Sequence, residues 1–334
     1  MDPALDPVDR LLLDELGDLP SGRIVVLGDD HGALVSAVAE LSGSGVVAHS
    51  DSLVSEQRLA GKGAEVAPDL VSALTGTQLV VLRLPKSLDA LDEIARTAAL
   101  VGATDVRLVA GGRSKHMTPS MNGVLAASFD EVRASLGRQK SRVLHAAGPR
   151  VVQQPWPRHR HHAGLDLTVH AHGATFAGTR LDAGTSLLVD QLHQLTATEG
   201  TVVDLGCGTG ILAALLSRRF ADVVAVDVSA AAVASARLTT SGAVDVRRAD
   251  GLTDLADASV AAIVSNPPFH VGTAKDSTPT LEMIDDAGRV LVPGGELMMV
   301  YNAHLPYLPR LRNLGQTDIL IRDRHYLVTR TVRD

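Results

Sequence analysis

With 334 residues the chain is long enough for two domains of ordinary size, and 45% apolar against 21% charged residues is the balance of a soluble globular protein. Aromatics are only 2%, so Val, Leu, Ala and Ile must build the core; no apolar run reaches the roughly 18 residues that cross a bilayer. One cysteine excludes an intrachain disulfide and a cysteine zinc site, and the net charge of −7 argues at first against a nucleic-acid partner.

Met1-Asp2-Pro3 has no basic run, so no secretory signal and a cytoplasmic location are expected. Arg23 to Leu27 predicts a strand, Gly28-Asp-Asp-His-Gly32 a loop, and Ala33 to Leu41 an apolar helix. Gly45 to Ala48 reads as a second strand. Gln78 to Leu82 reads as another, entering Arg83-Leu-Pro-Lys86 and a helix over Leu88 to Leu100. Asp105 to Ala110 reads as a fifth strand.

Met117 to Leu165 is expected to join the halves, with Pro155-Trp156-Pro157 as the exposed connection. Seven of the 31 basic residues fall between Val132 and Leu165, where no Asp or Glu occurs: Arg133, Arg138, Lys140, Arg142, Arg150, Arg158 and Arg160. Screening makes charge a local matter, so this strip can neutralise phosphates on an acidic protein; a solvated arginine-rich linker is the alternative. His159-Arg-His-His162 reads as flexible basic linker, not as a metal site, and no metal is expected.

The second half predicts a strand at Thr201 to Leu205, a loop at Gly206-Cys-Gly-Thr-Gly210 and a helix over Ile211 to Phe220. Strands follow at Val223 to Val226, Val244 to Arg248, Val260 to Val264 and Glu296 to Tyr301, with helices over Ser229 to Leu238 and Thr280 to Leu291. Alternation of this kind predicts an α/β fold, an open and mostly parallel sheet with helices on both faces, present twice. Gly32 aligns with Gly210 at an offset of 178 residues, and with a small gap Leu84-Pro85 lies opposite Asn266-Pro267. On that alignment the first copy has Val26 for Asp204, Asp30 for Gly208 and Leu84 for Asn266, so it is degenerate and the cofactor is expected in the second half alone.

In Asp204-Leu-Gly-Cys-Gly-Thr-Gly210 the glycines bring backbone N–H groups close to a ligand. The third glycine of the dinucleotide fingerprint is missing, because Ile211 stands there, and the leading acid suits a cationic ligand. S-adenosyl-L-methionine has an α-amino group and a sulfonium for Asp204 to attract. Asp227, followed by Val228, can accept both hydroxyls of a ribose, and Asp250, followed by Gly251, an adenine amino group. Gly206, Cys207, Gly208 and Gly210 complete this candidate cofactor set, with Cys207 a small loop residue and not a nucleophile.

Ser265-Asn-Pro-Pro-Phe-His270 addresses a planar, conjugated nitrogen whose lone pair is delocalised. The Asn266 side-chain oxygen and the Pro267 carbonyl can each accept an N–H, favouring a pyramidal nitrogen aimed at a methyl carbon. The prolines stiffen the turn and Phe269 offers a stacking face. His270 could touch substrate or make a structural hydrogen bond; Tyr301 could border the target base or pack its strand.

These motifs resemble the bacterial ribosomal RNA guanine-N2 methyltransferases, built from two tandem Rossmann-like class I methyltransferase domains. Phe176 with Arg180-Leu-Asp-Ala-Gly184, Asp204 to Gly210, Ala232 to Leu238, Ser265 to His270, Gly294-Gly-Glu-Leu297 and Asn302-Ala-His-Leu305 carry the resemblance. It implies S-adenosyl-L-methionine as cofactor, S-adenosyl-L-homocysteine as product, and Asp182, Gly184 and Thr185 near the methionine end, with Asn266 also beside the cofactor. It implies a degenerate RNA-binding domain over 1–150, a basic linker over 151–165 and a catalytic domain over 166–334. Leu84-Pro-Lys-Ser-Leu88 and Leu136-Gly-Arg-Gln-Lys-Ser-Arg142 favour the large-subunit 23S rRNA type over the small-subunit 16S type. The expected partner is ribosomal RNA or a ribosomal subunit, met by a monomer, with no membrane. Methylation of a protein glutamine or a DNA adenine, and a non-catalytic RNA-binding factor, are the alternatives.

Overall fold

The computed structural model describes residues 5–43, 45–267 and 278–334. The chain divides into two units, Met1–Trp156 with His172–Ala174, and Pro157–Ala171 with Thr175–Asp334. The first contains α1 (Pro7–Asp14), β1 (Arg23–Leu27), α2 (Ala33–Ser42), β2 (Val46–His49), α3 (Leu53–Leu59), β3 (Ala64–Val66) and α4 (Leu70–Leu74). It continues with β4 (Thr77–Arg83), α5 (Leu88–Val101), β5 (Arg107–Arg113), α6 (Pro119–Ala126), β6 (Phe129–Ala134) and β7 (Ser141–Pro149). The second contains β8 (Arg158–His162), β9 (Leu167–Ala171), α7 (Ala183–Gln191), β10 (Thr201–Leu205), α8 (Ile211–Leu216), β11 (Val223–Asp227), α9 (Ala230–Thr240) and β12 (Asp245–Arg248). It ends with β13 (Val260–Ser265), α10 (Thr278–Val290), β14 (Leu291–Asn302), α11 (Leu308–Leu314), β15 (Gly315–Arg322) and β16 (Tyr326–Arg333).

Each unit has one seven-stranded sheet, in the orders β3-β2-β1-β4-β5-β7-β6 and β12-β11-β10-β13-β14-β16-β15. Counted from each unit's first parallel strand these are the same order, which gives the duplication a topological basis. Alternate strand residues feed two apolar layers. Val25 and Leu27 pack on one face with Leu91 and Phe129, Ile24 and Val26 on the other with Leu12 and Leu34. In the second unit Val202 and Ala225 join one layer, Val203 and Leu205 the other. Among the described residues, no helix is long and apolar enough to cross a membrane.

The fold departs from the sequence reading in three places. The sheets are Rossmann-like as expected, but each closes with two antiparallel strands, β7 and β6 or β16 and β15. Part of the stretch expected to join the halves is therefore sheet edge; β6 buries little more than Phe129, so its sequence carries almost no apolar alternation. The expected linker over 151–165 contains β8, whose own residues are polar, paired to β9, which supplies buried Leu167, Val169 and Ala171. Trp156, expected at the surface, is buried, and its Nε1 donates to Asp92 Oδ2 at 2.9 Å.

Candidate functional site

In the second unit the strand order reverses between β10 and β13, which opens a crevice at their carboxyl ends. The β10 end delivers the glycine loop. Gly206 and Cys207 donate their N–H groups to the Val226 carbonyl, and Gly208 donates to Asp227 Oδ2 at 2.9 Å. Asp227 Oδ1 accepts from Ser229 at 2.9 Å, so the carboxylate at the β11 tip ties loop to helix. Gly206, Gly208 and Gly210 all have positive φ, but for different reasons. A Cβ on Gly210 would stand 2.9 Å from Cα and Cβ of Ala236, whereas at Gly206 and Gly208 it would meet nothing within 4 Å. Gly210 serves packing of α8 on α9; the other two leave an open cradle.

Asp204 is fully buried; its Oδ2 accepts from the Ala213 N–H at 2.8 Å and its Oδ1 has no partner among the described residues. Burial pushes its carboxyl up to about 7, Ala213 opposing and neighbouring Asp227 adding to the rise. Burial, with Asp204 and Asp227 nearby, also pushes the Cys207 thiol well up, in keeping with a loop residue and not a nucleophile. Val228 is half-buried behind Asp227; Asp250 is exposed at the β12 tip, before Gly251 with φ +63°.

The β13 end delivers Ser265, whose Oγ donates to the Leu205 carbonyl at 2.8 Å and so joins the two strand tips. Next comes Asn266. Its Nδ2 donates to Asp182 Oδ1 at 3.2 Å and to Thr185 Oγ1 at 3.0 Å, while its buried Oδ1 has no partner among the described residues. Asp182 caps α7, accepting from Gly184 and Thr185. Residues some 80 positions apart in sequence are thus one cluster, a link that motif reading alone did not provide. Pro267 is buried after Asn266; Phe269 and His270 lie outside the described residues. Tyr301 is fully buried with its ring 5.4 Å from that of Tyr307, which makes it a strand-packing residue.

The first unit repeats the cluster in altered form. Leu27 pairs with Leu82 as Leu205 pairs with Ser265, so the counterpart of Asn266 is Arg83 and not Leu84. Asp6 caps α1 as Asp182 caps α7, and Asp9 and Thr185 are each the third residue of their helix. Arg83 binds Asp6 at 2.7 Å and Asp9 at 3.2 Å. A Cβ on Gly28, the counterpart of Gly206, would lie 2.9 Å from the Arg83 carbonyl, so the open cradle is closed there. Nor is the loop's carboxylate lost with Val26: Asp29 Oδ2 accepts from Val35, the counterpart of Ala213, at 2.9 Å.

Of the basic strip, Arg133, Arg138, Lys140 and Arg142 are exposed on the β6–β7 hairpin, and Arg158 and Arg160 on β8. Arg138 pairs with Asp14 and Arg150 with Asp130. Sequence reading missed Lys115, which the fold brings beside the strip through the Ser114 N–H bond to the Lys140 carbonyl at 2.9 Å. Acids at 130 and 131 break the charge run between them. Among the described residues no group of three or more His, Cys, Asp or Glu is placed to hold a metal ion.

The open cradle, the buried oxygens of Asp204 and Asn266 that have no partner among the described residues and the carboxylates at the β11 and β12 tips fit a cationic nucleoside ligand. The family models agree with that chemistry: residues 166–330 match the methyltransferase small domain and residues 3–150 the RLMG N-terminal domain. The ribosomal RNA large subunit methyltransferase G of Streptomyces avermitilis is 34% identical, covering 99% of this chain and 93% of that protein. The same-named protein of Aeromonas hydrophila is 32% identical over 93% of this chain and 88% of its own length. A solved structure of a T. thermophilus 16S rRNA N2 methyltransferase with AdoMet and guanosine shares the fold, with TM-score 0.82, 23% identity, 98% of this chain and 92% of that one. The chain therefore belongs to the ribosomal RNA large subunit methyltransferase G family, and its cofactor is S-adenosyl-L-methionine.

Proposed function

We propose that this chain methylates the exocyclic N2 of a guanine in large-subunit ribosomal RNA, and that Asn266 holds the target nitrogen. The observation that carries the reading is the buried Oδ1 of Asn266 at the crevice, which has no partner among the described residues. An unmet buried acceptor costs about 1–3 kcal/mol, which an incoming N–H would relieve. S-adenosyl-L-methionine, when bound, supplies an electrophilic methyl group. Asn266 Oδ1 and the Pro267 carbonyl accept the two N–H groups of the guanine amine, drawing its lone pair out of conjugation and toward the methyl carbon. The nitrogen loses a proton to solvent after alkylation, so no strong base is needed. Phe269 is read as the stacking face for the base.

Asp204 is read as the attractor of the cofactor's ammonium end, Asp227 as the ribose acceptor and Asp250 as the adenine acceptor. Gly206, Cys207, Gly208, Val228 and Gly251 would line the same ligand, with Asp182, Gly184 and Thr185 at its methionine end. Domain roles follow: RNA gripped by the first domain and by Arg133, Arg138, Lys140, Arg142, Arg150, Arg158 and Arg160, chemistry in the second. The base must leave its stack to reach the crevice. The enzyme is read as a cytoplasmic monomer. Replacing Asn266 with Ala should abolish methyl transfer to ribosomal RNA while calorimetric affinity for S-adenosyl-L-methionine stays within about twofold; transfer at the wild-type rate would overturn the reading. Mass mapping of ribosomal RNA from cells with and without the gene identifies the base and the subunit.

A further inference from the structure

We infer that Asp182 and Thr185 are positioning residues that fix the rotation of the Asn266 amide, and that Gly184 keeps its oxygen clear. The inference rests on the role proposed for Asn266. A primary amide can sit in its slot in two orientations that differ only by exchange of oxygen and nitrogen. Which end meets the substrate decides whether the site accepts an N–H or offers one. Here the choice is made by chemistry: Asp182 Oδ1, already accepting from Gly184 and Thr185 N–H groups, can only accept again, so the amide must turn its Nδ2 to it. Thr185 Oγ1 takes the second Nδ2 hydrogen at 3.0 Å. Both donors of Asn266 are spent on α7, and Oδ1 is left with no partner among the described residues.

Gly184 completes the arrangement. A Cβ at this position would stand 3.0 Å from Asn266 Oδ1 and 3.2 Å from Nδ2. Any side chain would press on the amide and shield the bare oxygen. The backbone is ordinary helix, so the absent Cβ is not required by conformation.

The first unit supports a role directed at the strand tip. There the same two helix positions, Asp6 and Asp9, still grip the residue at the β4 tip, although Arg83 offers no acceptor and the cradle is closed. The grip therefore exists without a cofactor site. In the second unit Thr in place of the second acid leaves a single carboxylate, which suits a neutral amide in place of a guanidinium.

Thr185→Val removes the hydroxyl at nearly constant volume. It should lower kcat at saturating S-adenosyl-L-methionine about tenfold, beyond any change in calorimetric Kd, with the melting temperature near wild type. Thr185→Ser should recover most of the rate. Gly184→Ala, which favours the helix, should lower kcat at least as far with cofactor affinity within a few-fold. A fall in cofactor affinity with kcat unchanged at saturating S-adenosyl-L-methionine would leave these residues as cofactor contacts alone and overturn the inference, as would an unchanged kcat in Thr185→Val. If Asn266→Ala is itself fully active, the role of Asn266 falls; if that variant is dead while Thr185→Val and Gly184→Ala are fully active, only the positioning role falls.

Discussion

Arg83 and Asn266 stand at the same point of the two repeats, one residue beyond the strand pairs Leu27 with Leu82 and Leu205 with Ser265, and each grips the capping residue and third residue of a helix. In one repeat the grip is a salt bridge, in the other a pair of amide hydrogen bonds that leaves an oxygen bare. The strand-tip residue and its helix partner change together, beside Val26 for Asp204 and Asp30 for Gly208, between the closed copy and the open one.

The closed copy gives a stability prediction. Asp9 is buried, and burial outweighs Arg83 in pushing its carboxyl up. Arg83→Ala would leave that carboxylate unpaired. Arg83 is itself partly exposed, so the cost should be about 2 kcal/mol at pH 7, below the range for a fully buried pair. Because protonating Asp9 removes the unpaired charge, the gap from wild type should narrow as pH falls from 7 to 5. Urea unfolding at both pH values measures this, and an equal gap at both would show that Asp9 is not the group at risk.

Much of this was legible in the sequence. The glycine loop, the acids at the strand ends and the Asn-Pro-Pro run are short contiguous motifs, and parallel strands buried on both faces read as apolar runs. Edge strands did not, because β6 and β8 take their burial from neighbours. The resemblance puts Asp182, Thr185 and Asn266 beside one cofactor, but their mutual hydrogen bonds across 84 or 81 residues leave no local pattern. Alignment by motif sets Leu84-Pro85 opposite Asn266-Pro267, one position past the true counterpart Arg83, which only strand register fixes. Asp29 is invisible to that comparison for a related reason. It reaches the helix N-terminus from three residues further along than Val26, so comparison by position records only the loss.

Asp204 predicts a pH dependence of cofactor binding. Burial first, and then Asp227, raise its carboxyl to about 7, so the free protein carries it largely protonated in mild acid. The raised value means that protonation favours the fold. Its contribution to apo stability is full below the ordinary carboxylate pKa of 3.8 and is lost as pH climbs through about 7. A cationic ligand reverses the preference. Affinity for S-adenosyl-L-methionine should therefore tighten from pH 6 to 8, by at most about tenfold per pH unit. Asp204→Asn should bind weakly with a flat profile; a pH-independent wild type in calorimetry would remove Asp204 from the linkage.

Glu296 serves the fold beneath the crevice. Its buried carboxylate accepts from the N–H groups of Thr196 and Ala197, from Thr196 Oγ1 and from Arg330. It thereby fastens the entry to β10 onto β14. Burial alone would raise this carboxyl, but Arg330 and Thr196 hold it below its ordinary value of 4.5. The stabilisation is present above that value and is lost as pH falls through the lower folded one. Glu296→Gln should cost about 2 kcal/mol at pH 7, with the difference closing below pH 4 in denaturant titrations. A constant difference would mean that the contacts are not charge-assisted.

The three positive-φ glycines of the loop should separate fold from cofactor. Alanine at any of them must adopt a left-handed backbone, at a cost of about 1–2 kcal/mol. At Gly210 the new methyl also meets Ala236 at 2.9 Å, so overpacking adds about 1–3 kcal/mol more and Gly210→Ala should unfold at clearly lower denaturant. At Gly206 nothing lies within 4 Å, so Gly206→Ala should lose only the backbone term. Its methyl would enter the open cradle, and affinity for S-adenosyl-L-methionine should fall by at least tenfold in a protein that remains folded. Urea midpoints and calorimetry on the two variants place them on opposite axes. A Gly206→Ala protein that binds the cofactor normally would mean that the cradle is not where the ligand lies.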